Sequence, residues 1–295
     1  MSLRRVESDA DHEAWAAIKS AVVPGEPVTG EEMRRLAKPE RLLLLAEAGG
    51  AAVGCGIASP SSFAGATFVG PRVLPEARGQ GVGALLLEAL ADHAAALDRP
   101  TLVAHVDGAD ARSLRFASRF GFTEFDREVQ QTRSLGDEPD VKPPAGVELV
   151  SIAERPALLE QAWRQVAMEA YAGLPLPEPI EVPLDEWLGE EATLPEGSFV
   201  ALAGGDVVGY AGLLRFDAKP AVAEHGLTAV RRDRRRQGIA TALKRAQIAW
   251  AAANGLRELV TWTQRGNEDM QRLNGRLGYL VTSESLTMRA DTASR

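Results

Sequence analysis

The chain has 295 residues, a formal net charge of −8 and a hydrophobic content of 45%. This length is enough for about two domains, each able to bury a core of its own. The negative charge argues against a general nucleic-acid or anionic-membrane binder, because both need a positive field. An acidic surface suits a cationic substrate such as an amine, although it serves solubility equally well.

The rest of the composition indicates a reducing, aqueous environment. The single cysteine, Cys55, cannot form an intramolecular disulfide, and its apolar neighbours favour a buried structural thiol. Charged residues follow Met1 closely and no apolar run approaches membrane-spanning length, so we expect no signal peptide and a cytoplasmic protein. The four histidines have no metal-ligand spacing, so we expect no metal.

The predicted elements follow one another in the same order twice. A strand and a helix precede two strands joined by a glycine-containing turn, and a further strand enters an Arg/Gly turn. A helix leaves that turn, and a strand, a helix and a final strand complete the unit. This order predicts an α/β fold, with α+β layers around a mixed, mostly antiparallel sheet. The predicted elements include the helices that carry Trp15 and Trp163 and the helices that follow the two turns. The others in the first copy are residues 3–7, 41–47, 51–58, 67–73, 101–105 and 111–119. The others in the second copy are residues 147–151, 198–203, 207–214, 224–230, 258–262 and 269–276.

The Arg/Gly turn recurs at a fixed spacing. Both turns read Arg-x-x-Gly-x-(Gly/Ala) and begin at Arg78 and Arg235. Gly121 follows Arg78 by 43 positions and Gly278 follows Arg235 by 43 positions, so the two frames lie 157 positions apart. One such motif is weak evidence, whereas the same spacing found twice indicates a duplicated unit.

A segment rich in proline, glycine and charge separates the two copies. Residues 137–146 show no periodicity and are typical of a linker. We therefore predict an N-terminal domain over residues 1–136 and a C-terminal domain over residues 147–295. The second copy carries extra residues near 172–194, whose proline-rich stretch at 174–179 is either an ordered loop near a site or a surface insertion.

A glycine-bearing turn between a strand and a helix is suited to binding phosphate. Its backbone N–H groups point into one concavity, and the helix N-terminus adds the positive end of its dipole. Gly81 and Gly83, or Gly238 and the small Ala240, let the backbone approach an anion closely. The alternative is a tight connection that needs glycine for its own geometry, and the recurrence of the motif favours the phosphate site.

The two turns, together with the pattern Asn-x-x-Met-x-x-x-Asn-x-x-Leu-Gly-Tyr from Asn267 to Tyr279, resemble the signature of the GNAT superfamily of acetyl-CoA-dependent N-acyltransferases. The resemblance covers essentially the whole chain, as a tandem, and implies acetyl-CoA as co-substrate. The arginines of 231–236 either hold the 3′-phosphate of CoA or form a solvated basic turn. The implied cofactor-binding residues are Thr228, Ala229, Val230, Arg235, Arg236, Gln237, Gly238, Ile239, Ala240, Thr241 and Asn267 in the second copy, and Val73, Arg78, Gly79, Gln80, Gly81, Val82 and Gly83 in the first.

Acetyl transfer from a thioester to an amine needs a base for the ammonium, donors for the developing oxyanion and a proton for the departing thiolate. The resemblance implies a strand-borne base at Glu224, eleven positions before Arg235; the alternative is an ordinary strand glutamate. His225 would point to the opposite face of the strand and is the second choice for the base. Backbone N–H groups at the strand end, Val230 first, could bind the oxyanion.

The first copy lacks the corresponding groups. Thr67 occupies the position of the base and cannot act as one, and Asp110 stands where the second copy has Asn267. Both copies depart from the family at the tyrosine that protonates the thiolate, because Ala117 and Asn274 occupy its position. Asn274 can donate a hydrogen bond to sulfur but cannot readily give up a proton.

These patterns predict an N-acetyltransferase whose second copy moves an acetyl group directly to a primary amine, with Glu224 and Asn274 as catalytic residues and a non-catalytic first copy. The alternative is an acetyl-CoA-binding regulatory or scaffold protein without turnover. No nucleic-acid or membrane partner is expected, and the sequence does not indicate the oligomeric state. Aminoglycosides, polyamines, amino acids and peptide N-termini all remain open as acceptors.

Overall fold

The computed structural model of the chain describes residues 1–139, 141–176, 178, 180 and 182–291. These residues divide into two compact units. The first contains residues 1–127 and the segment that begins at Ser285, and the second contains residues 128–284. Each unit is a mixed sheet flanked by helices, which confirms the predicted fold class. Every helix among the described residues is too short or too polar to cross a bilayer.

The first repeat folds in the predicted order of elements. Its first two helices begin with capping boxes, in which Ser8 and Thr29 accept the backbone N–H groups of Asp11 and Glu32 while those acidic side chains bond back to the cap. The elements are β1 (Ser2–Arg5), α1 (Asp9–Val22), α2 (Gly30–Arg35), β2 (Leu42–Ala48), β3 (Ala51–Pro60), β4 (Ala66–Val69), β5 (Arg72–Val73), α3 (Val82–Ala96), β6 (Thr101–Asp107), α4 (Ala111–Arg119) and β7 (Thr123–Ser134).

The second repeat has the same order and a longer helical region before its second strand. A π-helical stretch, Trp163–Ala167, lies within that region. Such stretches are rare in proteins, and those that occur often lie at functional sites. The elements are β8 (Glu148–Ser151), α5 (Leu158–Ala162), α6 (Met168–Tyr171), α7 (Leu184–Glu190), β9 (Phe199–Ala203), β10 (Asp206–Arg215), β11 (Val222–Val230), α8 (Ile239–Ala253), β12 (Glu258–Gln264), α9 (Glu268–Arg276) and β13 (Leu280–Asp291).

Each unit contains one parallel strand pair in an otherwise antiparallel sheet. The strand order of the first unit is β1-β2-β3-β4-β6-β13, with β5 beside β3, and β4 runs parallel to β6. The strand order of the second unit is β7-β12-β11-β10-β9-β8, and β11 runs parallel to β12. The parallel pair in each unit includes the strand that leads toward the Arg/Gly turn.

The last strand of each repeat completes the sheet of the other repeat's unit. Residues Ser285 to Asp291 of β13 pair with β6 in the first unit. Residues 128–134 of β7 pair with β12 in the second unit. The compact units therefore have different bounds from the repeats in the sequence.

The core of the first unit lies on both faces of its sheet. Leu86 and Leu90 of α3 pack on one face, and Trp15 of α1 packs with Leu45 and Cys55 on the other. The indole N–H of Trp15 donates to the carbonyl of Gly56 at 2.9 Å. Burial raises the pKa of the Cys55 thiol to about 12, in line with a structural thiol.

Candidate active site

The strand that leads into each Arg/Gly turn separates from its parallel neighbour before the turn. In the second copy, β11 pairs with β12 at residues 222–224, and its later residues up to Val230 continue along β10. The register between β10 and β11 breaks between Ala211 and Leu213, so the pair contains a bulge at this level. In the first copy, β4 pairs with β6 at residues 66–68, and β5 then lies beside β3. A gap thus opens between the parallel strands, and the exposed strand edge can pair with an extended ligand.

The turn has the same conformation in both copies. Gly81 and Gly238 cap α3 and α8 with left-handed φ angles of 88° and 82°. The residues two positions earlier, Gly79 and Arg236, also have positive φ angles, of 81° and 65°. Alternation of this kind directs successive N–H groups into one concavity, at the positive end of a helix dipole.

The first arginine of each motif joins the turn to the strand end. Arg78 Nε donates to the carbonyl of Val73 at 3.0 Å, and Arg235 Nε donates to the carbonyl of Val230 at 3.1 Å. The motif arginine therefore fixes the position of the turn relative to the strand in both copies.

Three buried side-chain oxygens near the gap of the second copy lack a hydrogen-bond partner among the described residues. They are Thr228 Oγ1 on β11, Thr263 Oγ1 on β12 and Asn274 Oδ1 on α9. An unsatisfied buried oxygen costs about 1–3 kcal/mol. The pantetheine arm of CoA contains two amide groups, which can supply such partners, so the residues present fit that ligand.

Asn267 and its counterpart in the first copy differ in what their side chains do. Asp110 caps α4 by accepting the backbone N–H groups of Arg112 and Ser113 at 3.0 and 3.1 Å. Asn267 stands at the same position of α9, but its side chain makes no capping bond. Its amide group is therefore available to a ligand at the end of β12.

Asn274 is enclosed by the protein, with none of its surface exposed. Its Nδ2 donates to Gln131 Oε1 at 3.0 Å, and Gln131 Nε2 donates to the carbonyl of Gln271 at 3.3 Å. One N–H of the amide is thus used within the protein, while the oxygen is unpartnered among the described residues. A role for Asn274 at the thiolate stays a prediction.

Glu224 lies at the inner end of the gap. It is opposite Leu214 of β10 and beside Val260 of β12, at the last level where β11 and β12 pair. The next residue, His225, is buried and bonds through Nδ1 to Gln247 Oε1 at 2.9 Å and through Nε2 to the Tyr279 hydroxyl. Burial, assisted by the charge of Lys244, holds the pKa of His225 well below its usual range. These contacts use both ring nitrogens of His225.

Comparison with known sequences identifies the protein. The Acetyltransferase (GNAT) family model matches residues 9–122 and 160–279. The chain belongs to this family. The two matched segments correspond to the two copies, which confirms the tandem GNAT resemblance.

Two curated relatives of this GNAT protein are mycothiol acetyltransferases. The one from Catenulispora acidiphila is 33% identical over 141 residues, which are 47% of this chain and 44% of that protein. The one from Streptomyces bingchenggensis is 28% identical over 226 residues, 75% of this chain and 71% of that protein. The match to the first therefore spans less than half of that relative.

Two solved structures share the fold over almost the whole chain. A GCN5-related N-acetyltransferase from Sphaerobacter thermophilus has a TM-score of 0.76 at 20% identity, and the match covers 99% of this chain and 95% of that one. A tandem GNAT protein from the clavulanic acid biosynthesis pathway has a TM-score of 0.75 at 22% identity, and the match covers 99% of this chain and 99% of that one. At these identities the likeness establishes the fold.

The first copy of the GNAT protein has a cavity at its turn. The cavity has a volume of about 470 Å³ and runs from the strand end at Val73 past Gly79 and Gly81 to α4, where Arg112 and Arg119 line it. Of the predicted binding residues of the first copy, Val73, Arg78, Gly79, Gly81 and Gly83 line this cavity, with cationic side chains beside them, whereas Gln80 and Val82 do not. Such a space suits an anionic ligand.

The strand end of the first copy is occupied by cations of the protein itself. Arg72, at the position of Ala229, lies over the ring of Trp15 at 6.0 Å and donates to the carbonyl of Gly70 at 3.1 Å. Lys19 of α1 is buried nearby, and the charge of Arg72 adds to burial in lowering the pKa of its ammonium. A cationic acceptor would meet two like charges here.

The arginines around the second turn are partly paired with carboxylates. Arg231 forms a 2.6 Å contact with Asp233, which also lies 3.7 Å from Arg234. Arg236 lies 3.9 Å from Asp269. The backbone N–H of Arg232 donates to Glu169 at 2.8 Å. The proposed 3′-phosphate role of this cluster stays a prediction.

The sequence reading missed one group near the gap, Glu191. This residue follows α7, in the region of extra residues, and its carboxylate accepts the backbone N–H of Leu227 at 2.7 Å. Burial raises the pKa of Glu191 to about 8, against the lowering effect of that hydrogen bond. No motif or periodicity marks Glu191; its place beside β11 is shown only by its hydrogen bond with Leu227. The extra region also reaches Asn267's neighbour Gly266, where a Cβ would lie 2.9 Å from Pro175.

Proposed function

We propose that the second copy of this GNAT protein transfers an acetyl group from acetyl-CoA directly to a primary amine. The observation that carries the proposal is the position of Glu224 at the inner end of the gap, on the strand that leads to the turn. A carboxylate at position 224 lies on the same strand as Val230, and the Val230 end of that strand faces the gap. When bound, acetyl-CoA supplies the activated acetyl group.

The backbone groups of the second copy would position the co-substrate. The N–H groups of 236–241 would hold its pyrophosphate at the start of α8. The edge of β11 at 228–230 would pair with its pantetheine arm, and the unpartnered hydroxyls of Thr228 and Thr263 would bond to that arm. The N–H of Val230 would donate to the developing oxyanion.

Glu224 would act on the acceptor. It removes one proton from the ammonium through a water molecule, and the amine nitrogen then forms a bond to the acetyl carbon as the carbon–sulfur bond breaks. The nitrogen then gives up its second proton, which passes through water to the departing sulfur, so that an amine and a thioester give an amide and a thiol. In this scheme the second N–H of Asn274 Nδ2 would stabilise the sulfur by hydrogen bonding.

For the first copy we propose CoA binding without catalysis. The cavity at its turn, with Arg112 and Arg119 beside it, supports the binding of an anionic ligand. Thr67 at the base position and the cations Lys19 and Arg72 at the strand end argue against an amine acceptor there.

A second candidate function is an acetyl-CoA-binding protein without turnover. The observation that favours it is the commitment of the Asn274 amide to Gln131, which leaves the tyrosine position of the family without a proton donor. Under this candidate both turns bind CoA and neither copy releases thiol faster than spontaneous hydrolysis.

Thiol release from acetyl-CoA, measured with a panel of amines, separates the two candidates. The panel contains a polyamine, an aminoglycoside, an amino acid, a peptide N-terminus and, in view of the curated relatives, the acceptor of mycothiol acetylation. We expect amine-dependent release. Binding of acetyl-CoA with no release for any amine would reject the enzyme and support the second candidate.

A further inference from the structure

The carboxylate of Glu191 is built into the bulge between β10 and β11. Glu191 Oε1 accepts the N–H of Leu227 at 2.7 Å. Two glycines leave the room for it, because a Cβ on Gly226 would lie 2.4 Å from Oε1 and a Cβ on Gly212 would lie 2.5 Å from it. Any larger residue at either position would displace the carboxylate.

Aromatic rings surround this part of the second copy. Trp187 lies 5.0 Å from Tyr210 and 6.2 Å from Tyr171, measured between ring centroids. The Tyr210 hydroxyl donates to the backbone carbonyl of Glu191 at 3.4 Å. A Cβ on Gly212 would lie 2.7 Å from the Tyr210 hydroxyl as well, so this hydroxyl lies beside the carboxylate. After burial, the charge of Glu191 is the largest cause that raises the pKa of Tyr171 and Tyr210.

The carboxylate has no cationic partner among the described residues. Among the described residues, no lysine, arginine or histidine forms an ion pair with Glu191, and the donor to its carboxylate is the backbone N–H of Leu227. A carboxylate enclosed by rings and lacking a counter-ion is costly to ionise. An ammonium group placed against it would remove that cost.

The location matches the acceptor side of the proposed reaction. Leu227, which bonds to Glu191, directly precedes the strand end at 228–230 that we assign to the pantetheine arm. Glu224 lies three positions earlier on the same strand. Glu191 and Tyr171 both retain partial exposure, whereas Trp187 and Tyr210 are fully buried beneath them.

We infer that Glu191 and the ring of Tyr171, supported by the buried rings of Trp187 and Tyr210, form a subsite that binds the ammonium group of the acceptor. A carboxylate and aromatic faces are the chemistry that recognises an alkylammonium ion. This inference rests on the proposed function, because it locates the acceptor of that reaction. Glu191 is assigned to binding and positioning, and Glu224 keeps the role of base.

The register position next to this subsite is filled differently in the first copy. Ala229 pairs with Tyr210 in the second copy, whereas Arg72 pairs with Cys55 at the same level of the first. The guanidinium of Arg72 lies over the ring of Trp15 there. The first copy thus carries a cation of its own on an aromatic face, while the second leaves an aromatic and acidic site without one.

Binding at the subsite depends on pH in a defined direction. Because burial raises the pKa of Glu191 to about 8, the carboxyl group is mostly protonated at pH 7 and ionised at pH 9. Only the ionised form attracts an ammonium ion, so affinity rises as the pH passes through 8. Tyr171 and Tyr210, the titratable rings at this position, do not lose a proton in that interval because burial and the charge of Glu191 raise both of their pKa values. The charge of Glu186 also acts on Tyr171.

The test measures binding of pentylamine and its neutral analogue 1-pentanol to the full-length protein saturated with CoA, by saturation-transfer NMR at pH 7 and pH 9. We expect pentylamine to bind at least ten-fold more tightly than 1-pentanol at pH 9, and more tightly at pH 9 than at pH 7. Glu191→Gln keeps an oxygen that can accept the Leu227 N–H, and we expect it to lose at least ten-fold in pentylamine affinity and the pH dependence. Glu190→Gln, which removes the neighbouring exposed charge, is the control and should bind as the wild type does.

Equal binding of pentylamine by Glu191→Gln and wild type, or no preference of the wild type for pentylamine over 1-pentanol, would overturn the subsite. If Glu191→Gln does not fold, Tyr171→Leu serves in its place: a three-fold or larger loss of pentylamine affinity supports the subsite and an unchanged affinity overturns it. The proposed function fails separately. Amine binding without thiol release would reject acetyl transfer and keep the subsite, whereas amine-dependent release that is unchanged in Glu191→Gln would reject the subsite and keep acetyl transfer.

Discussion

The two copies of this GNAT protein form the same turn but pack different residues behind it. Four positions related by the repeat spacing are apolar in the first copy and polar in the second. The pairs are Phe68 and His225, Leu87 and Lys244, Leu90 and Gln247, and Phe122 and Tyr279. In the second copy these side chains form one buried network, in which Gln247 also donates to the carbonyl of Gly212 at 2.7 Å.

The charges near the gap differ in sign between the two copies. The first copy places Arg72 and Lys19 there, and the second places Glu224 and Glu191. The shared turn therefore depends on its backbone conformation and on the motif arginine, whereas in our proposal the other side chains around it decide whether an amine can approach. A duplicated fold can keep one ligand site in both copies and confine the chemistry to one of them.

The largest effect is expected from removal of the proposed base. Glu224→Gln keeps the size and polarity of the side chain and removes its ability to take a proton. We expect a fall of about 10²- to 10⁴-fold in kcat/KM for the best amine, with a steeper dependence on pH. The measurement is thiol release between pH 6 and pH 9. Glu258→Gln, at the start of β12, is the matched control, and an unchanged pH profile in Glu224→Gln would reject the assignment.

The buried network predicts a pH-dependent stability from Lys244, at a position where the first copy has Leu87. Burial lowers the pKa of Lys244 to about 7 in the folded protein. Above pH 7, and up to the ordinary pKa of lysine, the unfolded chain binds more protons than the folded one, so stability rises with pH by up to about 1.4 kcal/mol per unit. Below pH 7 both states carry the proton and this contribution to the slope vanishes.

Replacement of Lys244 by the residue of the first copy tests this slope. Lys244→Leu should be more stable than the wild type at pH 7, and this advantage in unfolding free energy should shrink as the pH rises to 9. Chemical denaturation at pH 7, 8 and 9 measures the difference, with the exposed Lys142→Leu as control. Parallel pH profiles for wild type and Lys244→Leu would show that Lys244 keeps an ordinary pKa in the fold.

A smaller effect is expected at the position of the missing tyrosine. Asn274→Ala removes the hydrogen bond to Gln131 and should lower the free energy of unfolding by about 1–2 kcal/mol. If Asn274 also contacts the sulfur, thiol release should slow by about ten-fold. Rates equal to the wild type, measured where both proteins are fully folded, would restrict Asn274 to a structural role.

The smallest effect is expected at the position in the first copy that corresponds to Glu224. Thr67 is buried and its hydroxyl has no partner among the described residues. Thr67→Val removes an unsatisfied group at constant shape, so it should stabilise the first unit by up to about 1 kcal/mol and leave thiol release unchanged. A loss of thiol release in Thr67→Val would place catalysis in the first copy and contradict our proposal.

The sequence was sufficient for the features that depend on local backbone signals. Glycine suits the left-handed conformations at 81 and 238, and these two glycines belong to the repeated motif that marked both turns. The helix at 111–119, the strand before each turn and the helix after it were also predicted from the sequence. Cys55 was expected to be a buried thiol because its neighbours are apolar, and it is buried.

Features that depend on long-range packing could not be read in this way. A strand pattern gives no information on which sheet the strand joins, so the pairing of β13 with β6 was not predicted. Glu191 lies in a segment without periodicity, and the room for its carboxylate is left by Gly212 on β10 and Gly226 on β11. The polar network could have been found by comparing residues at the repeat spacing, since Lys244 and Gln247 interrupt a pattern that is apolar in the first copy.

A matched pair of turn variants tests most directly whether catalysis belongs to the second copy. Gly81→Asp and Gly238→Asp each place a carboxylate at a phosphate turn, in a left-handed conformation that Asp tolerates; the Asn variants at both positions control for size. We expect Gly238→Asp to lose at least 100-fold in amine-dependent thiol release and Gly81→Asp to retain it while binding one CoA fewer. Loss of release in Gly81→Asp with full release in Gly238→Asp would contradict the assignment of the copies.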